Sequence, residues 1–117
     1  MEIQASETLD KLGIEYIREY SIKELRGKTK PLRFDFYIPN LSAFIECDGE
    51  QHFKVTRYEA NKSDALKNLK ERQQRDKKKD NYCTDNALPL LRIHYKNPNI
   101  AKTIIKFINE LEQLSTT

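Results

Sequence analysis

Apolar residues recur at changing intervals along this chain, and each change of interval predicts an element. In the first dozen residues Ile3, Ala5, Leu9 and Leu12 suit an amphipathic helix that stops at Gly13. Residues 14–22 read as extended, and residues 23–31 as a basic loop whose Pro31 biases Lys30 away from helix. Over residues 32–38 the pattern alternates, placing Leu32, Phe34, Phe36 and Ile38 on one face and Arg33, Asp35 and Tyr37 on the other. Pro39-Asn40-Leu41-Ser42 has turn chemistry, so this strand and residues 43–48 are expected to form an antiparallel hairpin.

After Phe53 a loop leads to a long polar helix over residues 61–86, in which Ala65, Leu66, Leu69, Tyr82 and Cys83 are the scarce apolar positions. Leu-Pro-Leu-Leu-Arg-Ile-His-Tyr, residues 88–95, is short and apolar, which favours a strand at or near the sheet centre despite Pro89. Asn97 as N-cap and Pro98 at the first helical position then open a last helix. Its stripe is Ile100, Ile104, Phe107, Ile108, Leu111 and Leu114. No repeat or linker interrupts this order, so residues 1–117 are read as one α/β domain, a mixed sheet flanked by helices.

Composition narrows the class. Hydrophobic residues make up 38% of the 117 and charged residues 33%, enough apolar content for one modest core rather than a disordered chain. No apolar run approaches the ~20 residues of a membrane span, and Met1 leads into Glu2 and Glu7 rather than a signal region, so the expected location is cytoplasmic. Cys47 and Cys83 fit no zinc spacing and are expected as reduced thiols. The net charge is only +3, but it is unevenly spread. Residues 62–79 hold eight basic against three acidic side chains, and residues 18–33 hold six against two. Each segment alone is ordinary for a solvated surface. Flanking an acidic centre, they favour a polyanionic partner, namely nucleic acid.

That acidic centre is Phe44-Ile45-Glu46-Cys47-Asp48-Gly49-Glu50-Gln51-His52-Phe53, where an apolar strand delivers several ionisable groups together. Alternation puts Phe44, Glu46 and Asp48 on one face and Ile45 and Cys47 on the other. Asp35, between two aromatics on the partner strand, converges on the same place. A carboxylate there costs stability unless it is bound or hydrogen-bonded, and an ion pair with Arg33 or Arg92 is the purely structural explanation. The chemical explanation is a hard cation. Phosphodiester hydrolysis needs an activated water and relief of charge at phosphorus, and oxygen-ligated Mg²⁺ supplies both. His52, with an unperturbed pKa of about 6.5, is the candidate proton acceptor, and Lys54 or Lys77 is an alternative phosphate-stabilising group. Asp48-Gly49 is also a common turn, and a histidine before an aromatic a common loop residue. His94, on a core-leaning strand, is read as packing.

Four segments resemble the PD-(D/E)XK nuclease superfamily: Arg33-Phe34-Asp35-Phe36-Tyr37, residues 45–52, Arg75-Asp76-Lys77-Lys78-Lys79 and Leu91-Arg92-Ile93. Within it the chain looks most like very-short-patch-repair-type endonucleases and phage homing endonucleases with an E-D-x-H-D pattern. The resemblance implies a restriction-endonuclease-like core and a metal-dependent endonuclease acting on DNA. It implies Asp35 as bridging metal ligand, Glu46 as second carboxylate and the Cys47 carbonyl as a third ligand, with Mg²⁺ as cofactor and Mn²⁺ as substitute. Asp48 stands where the superfamily usually carries lysine, and whether Glu46 or Asp48 meets the metal stays open. In the E-D-x-H-D branch a histidine replaces the lysine and a glutamate of the first helix joins the site, roles that His52 and Glu7 match by position. Lys28, Lys30, Arg33, Arg72, Arg75, Lys77, Lys78 and Lys79 are the expected nucleic-acid contacts. With no visible DNA-reading domain, the chain is expected to be weakly specific, structure-specific, a homodimer or guided by a specificity-giving partner. A catalytically inactive nucleic-acid-binding or phage accessory module and a small RNA nuclease are the alternatives.

Overall fold

The computed structural model describes residues 1–27, 30–50, 53 and 62–115. Its elements are α1 (Glu2–Lys11), β1 (Ile17–Arg26), β2 (Pro31–Ile38), β3 (Ala43–Asp48), α2 (Lys62–Asp85), β4 (Leu90–His94) and α3 (Ile100–Ser115). They form an α/β fold around a four-stranded mixed sheet of order β1-β2-β3-β4. β1, β2 and β3 are antiparallel neighbours, and β4 runs parallel to β3. A parallel pair needs a long crossover, and α2 lies in that connection. Among the described residues no helix is long and apolar enough to cross a membrane.

Local chemistry sets the boundaries. Gly13, at φ +69°, ends α1: its N–H donates to Asp10 O, and the next N–H, from Ile14, donates to Leu9 O. Together these satisfy two carbonyls that a helix end would otherwise orphan. Pro39-Asn40-Leu41 forms a single 3₁₀ turn closed by Ser42 in the left-handed region, and this delivers β3 antiparallel to β2.

The sheet separates two cores. On one face α1 and α3 cover Phe36, Ile38, Ala43, Ile45 and Ile93 with Ala5, Leu9, Ile100, Ile104 and Ile108. On the other, Ile22, Phe34 and Phe44 meet Cys83 of α2, with Tyr20 and Tyr37 packed alongside. Phe44 and Ile45 on opposite sides agree with the alternation expected of β3.

Five expectations need correction. Phe34 and Phe36 do not share a face: Phe34 lies in the α2-side core and Phe36 in the other. The pleat of β2 loses its phase at Asp35, whose register position faces Glu19 of β1, itself held at φ +51°. The expected basic loop begins late, because residues 23–26 belong to β1, which rejoins β2 after a register shift between Ile22 and Arg26. β4 closes one edge of the described sheet instead of occupying its centre, since α2 returns the chain beside β3. Finally, the cap of α3 is Asn99, whose Oδ1 accepts from the Lys102 N–H (3.1 Å); Asn97 lies ahead of it and accepts from the Asn99 N–H (2.8 Å). Pro98 therefore precedes the cap, and Leu114, 71% exposed, leaves the predicted stripe.

Candidate functional site

The β2–β3 hairpin carries regular pairs only as far as Phe36↔Ile45. Beyond them side-chain carboxylates replace ladder carbonyls. The Asp35 N–H donates to Glu46 Oε1 and the Cys47 N–H donates to Asp35 Oδ2, both at 2.7 Å. Each acid thus caps the other strand's backbone, which accounts for the lost phase at Asp35 and holds both carboxylates at the mouth of the split. The expected partners Arg33 and Arg92 do not hold Asp35. Arg33 lies 3.8 Å from Glu19 on the surface, and Arg92 is engaged elsewhere.

From α2, the Lys79 ammonium reaches Glu46 Oε2 at 2.9 Å, in an ion pair whose two side chains are only 12% and 3% exposed. The same ammonium stands 5.5 Å from the Phe34 ring centroid. Two residues further on, the next side chain on the same face of β3, Asp48 is gripped by Arg92, whose Nη1 donates to both carboxylate oxygens at 2.9 and 3.1 Å. Arg92 also donates to Asp80 Oδ1 (2.7 Å) and to the Asp76 carbonyl (3.0 Å), so one guanidinium ties β3, β4 and α2 together. Glu46, Asp48 and Asp76 bring carboxylate oxygens within 4.8 Å of one another around it.

Burial pushes the carboxyls of Asp35 and Glu46 above their ordinary values. At Asp35 the Cys47 N–H and the Lys79 charge oppose the rise, while the Glu2 charge adds to it. At Glu46 the Lys79 charge opposes burial and the Asp35 charge reinforces it. Burial and the charges of Asp35 and Glu2 raise the Cys47 thiol to about 12, so it is a neutral thiol at physiological pH. At Arg92 burial works against the cation, but the Asp80 hydrogen bond and the charges of Asp48 and Asp76 outweigh it and hold the guanidinium protonated.

Asp35 and Glu46 lie in a cleft of about 620 Å³ between the β1–β2 end of the sheet and α2. Lys30, Arg33, Arg72, Arg75, Lys78 and Lys79 line it, six of the eight expected nucleic-acid contacts. Lys77 is exposed and outside this lining, and Lys28 falls outside the described residues. His52 and Lys54 also fall outside them. Glu7 is exposed on α1 and does not line the cleft; the acid that α1 contributes is Glu2. Cys47 lines the cleft, whereas Asp48 is turned into the Arg92 network.

Sequence reasoning missed the central place of Lys79 and Arg92, taking the first as a phosphate contact and the second only as a structural partner. The signal for Lys79 was present. Ala65, Leu69, Arg72, Asp76, Lys79 and Cys83 follow alternating spacings of four and three, and all are buried or half-buried along α2. The inward stripe of α2 is apolar at its ends and charged in its middle, so a search for apolar residues alone passes over it.

The fold and cleft define an α/β protein with a hydrogen-bonded acidic pair in a cleft lined by both cations and further acids, Glu2, Glu19, Glu71 and Asp76 among them. No protein family, curated protein or solved structure matches the chain.

A hard divalent cation fits the donor set. Among the described residues Asp35 Oδ1 has no hydrogen-bond partner, and Glu46 Oε2 is held by a lysine rather than by the backbone. Mg²⁺ commonly takes one or two carboxylates and completes its shell with water and substrate phosphate, which two acids in an open cleft allow.

Proposed function

We propose that this chain is a metal-dependent endonuclease that hydrolyses DNA phosphodiester bonds on a restriction-endonuclease-like core. One observation carries the reading: two carboxylates and an ammonium, Asp35, Glu46 and Lys79, meet in a cleft whose walls carry Lys30, Arg33, Arg72, Arg75 and Lys78 alongside Glu2, Glu19, Glu71 and Asp76. Asp35 and Glu46 would hold Mg²⁺ or Mn²⁺, and the ion, when bound, would supply an acidified water and a Lewis acid for the phosphate. Lys79 supplies the cation that the sequence lacks at Asp48. Its ammonium, paired with Glu46 in the metal-free chain, would offset charge on the non-bridging phosphate oxygens. Arg72, Arg75 and Lys78 bind the flanking phosphates and orient the strand. Water attacks phosphorus, the bond to the leaving oxygen breaks, and that oxygen departs as a hydroxyl after taking a proton from solvent. His52 remains the proposed acceptor of the water's proton on sequence grounds.

The test is incubation with supercoiled, linear, branched and single-stranded DNA and with RNA, each with Mg²⁺ or Mn²⁺. Cleavage abolished by Asp35→Ala with the fold retained is the expected result, and unchanged cleavage by that variant sinks the assignment. Cleavage of RNA alone would make the chain a ribonuclease with the same site.

A second reading is a nucleic-acid-binding module without turnover. It is favoured by one observation: Glu46 and Asp48 are already neutralised by Lys79 and Arg92 with no metal required. Metal titration separates the two. An enzyme shows saturable binding lost in the Asp35→Ala, Glu46→Ala double variant, whereas a binding module shows salt-sensitive DNA affinity indifferent to metal.

A further inference from the structure

Beside the carboxylates the described residues carry a second group of aromatic rings, and this one is open to solvent. His94 stacks on Tyr95 with centroids 4.7 Å apart and planes 22° apart. Phe53 lies 4.3 Å from the His94 ring and 5.8 Å from that of Tyr95. His94 is exposed, and Phe53 keeps 44% of its surface in water. The contrast with the other cluster is informative. Phe34 and Phe44 pack at 4.2 Å and are buried beneath α2, as rings with a purely cohesive role are.

Position and charge say what the open rings suit. His94 is the register partner of Asp48, two residues beyond the Glu46↔Arg92 pair, so it lies about 7 Å along the strands from that pair. The Lys96 N–H donates to His94 Nδ1 (3.1 Å), which fixes the ring and leaves its proton on Nε2 as a donor. The Lys96 ammonium stands 5.8 Å from the Tyr95 centroid and adds positive charge to the patch. Flat rings, an N–H donor and a cation side by side match a nucleobase followed by its phosphate. Bases within a duplex are already stacked on one another, so only an unpaired base can take this seat.

We propose that Phe53, His94 and Tyr95 form a stacking platform for an unpaired nucleobase, which directs the adjoining cleft to single-stranded or locally opened nucleic acid. This rests on the nucleic-acid reading of the cleft. It goes beyond that reading by naming the substrate's state and a second subsite outside the cleft lining.

The test is binding, measured in EDTA so that hydrolysis plays no part. Fluorescence anisotropy with a short labelled single strand and the matching blunt duplex is compared for the wild type, Phe53→Leu, Phe53→Trp, His94→Leu and Arg75→Ala. Circular dichroism and thermal melting confirm that each variant is folded. The wild type is expected to prefer the single strand. Phe53→Leu and His94→Leu should each weaken single-strand binding about tenfold with little change for the duplex, and Phe53→Trp should restore it, because stacking needs a π-face and not merely volume. A 2-aminopurine in the strand should lose fluorescence on binding to the wild type and keep it with Phe53→Leu. Equal losses for strand and duplex, or no loss with either leucine variant, overturn the platform while leaving the nuclease reading standing. If the wild type binds no nucleic acid either in EDTA or with Ca²⁺ in its place, the nuclease reading falls and the platform with it. Arg75→Ala should weaken both substrates alike.

Discussion

The two faces of the sheet solve the same problem in different ways. Under α1 and α3 the interface is apolar throughout, from Ala5 and Leu9 to Ile104 and Ile108. Under α2 the apolar part stops at Phe34, Phe44 and Cys83, and Glu46, Asp48, Lys79 and Arg92 continue it as an ion network. The first arrangement needs only shape and volume. The second must balance desolvated charges, so that its stability depends on every partner being present and on pH. A protein that needed α2 only as a lid would fill that face with leucine. Charges at a helix–sheet interface open onto a cleft fit a face kept for a ligand at some cost in stability.

The sharpest way to break the contrast is to remove one member from each side. Phe36→Ala should cost about 3–5 kcal/mol by denaturant unfolding, nearly independent of pH, since it leaves a cavity. Arg92→Leu should cost a similar ~3–5 kcal/mol near neutrality, because it removes the guanidinium that grips buried Asp48 and ties β3, β4 and α2 together. That deficit should shrink in acid, where Glu46, 3.9 Å from Arg92 and raised by burial, takes up a proton in wild type and variant alike. If both deficits have the same pH profile, the two faces do not differ as described.

Lys79→Met should be milder, on the order of 2–3 kcal/mol, since Glu46 keeps the Asp35 N–H and can be protonated. A stability effect without a loss of metal-dependent cleavage would remove Lys79 from the proposed chemistry.

Asp35→Asn should act in the opposite direction. The amide oxygen still accepts the Cys47 N–H, and the buried charge is gone. Because burial raises the folded-state pKa of Asp35, the native chain binds more protons than the unfolded chain between the ordinary carboxylate value and the raised one. Metal-free stability therefore falls as pH rises through that window, and the same holds for Glu46. Asp35→Asn should flatten this slope and stabilise the metal-free chain by roughly 1 kcal/mol or less at neutral pH, a figure discounted for solvent reaching the carboxylate. Thermal melts between pH 4 and pH 8 without metal measure it.

The smallest stability effect belongs to the cleft wall. Arg75→Ala should change unfolding free energy by less than about 0.5 kcal/mol, yet lower the slope of nucleic-acid affinity against salt by about one.

How far the sequence went follows the range of the interactions. Gly13 closes α1, the hairpin carries its acids at the expected end, and β3 alternates as read, because each depends on neighbours a few residues apart. The phase change at Asp35 was not legible: the period-two rule assumes backbone partners, and here a carboxylate from another strand takes the amide. The Lys79–Glu46 and Arg92–Asp48 pairs join residues 33 and 44 positions apart, and only the return of α2 beside β3 brings them together. Which acid of α1 borders the cleft also depends on how the helix packs: Glu2 lines it and Glu7, five residues on, does not.

The exchange of ladder carbonyls for carboxylates has one more consequence. The amides of Asp35 and Cys47 each point at an acid 2.7 Å away. Their proton resonances should lie well downfield and move whenever either acid is protonated or captured by a cation. Two peaks in a nitrogen–proton correlation spectrum thus form a built-in indicator of the cleft's charge state, readable in the unmodified protein with no label at the site.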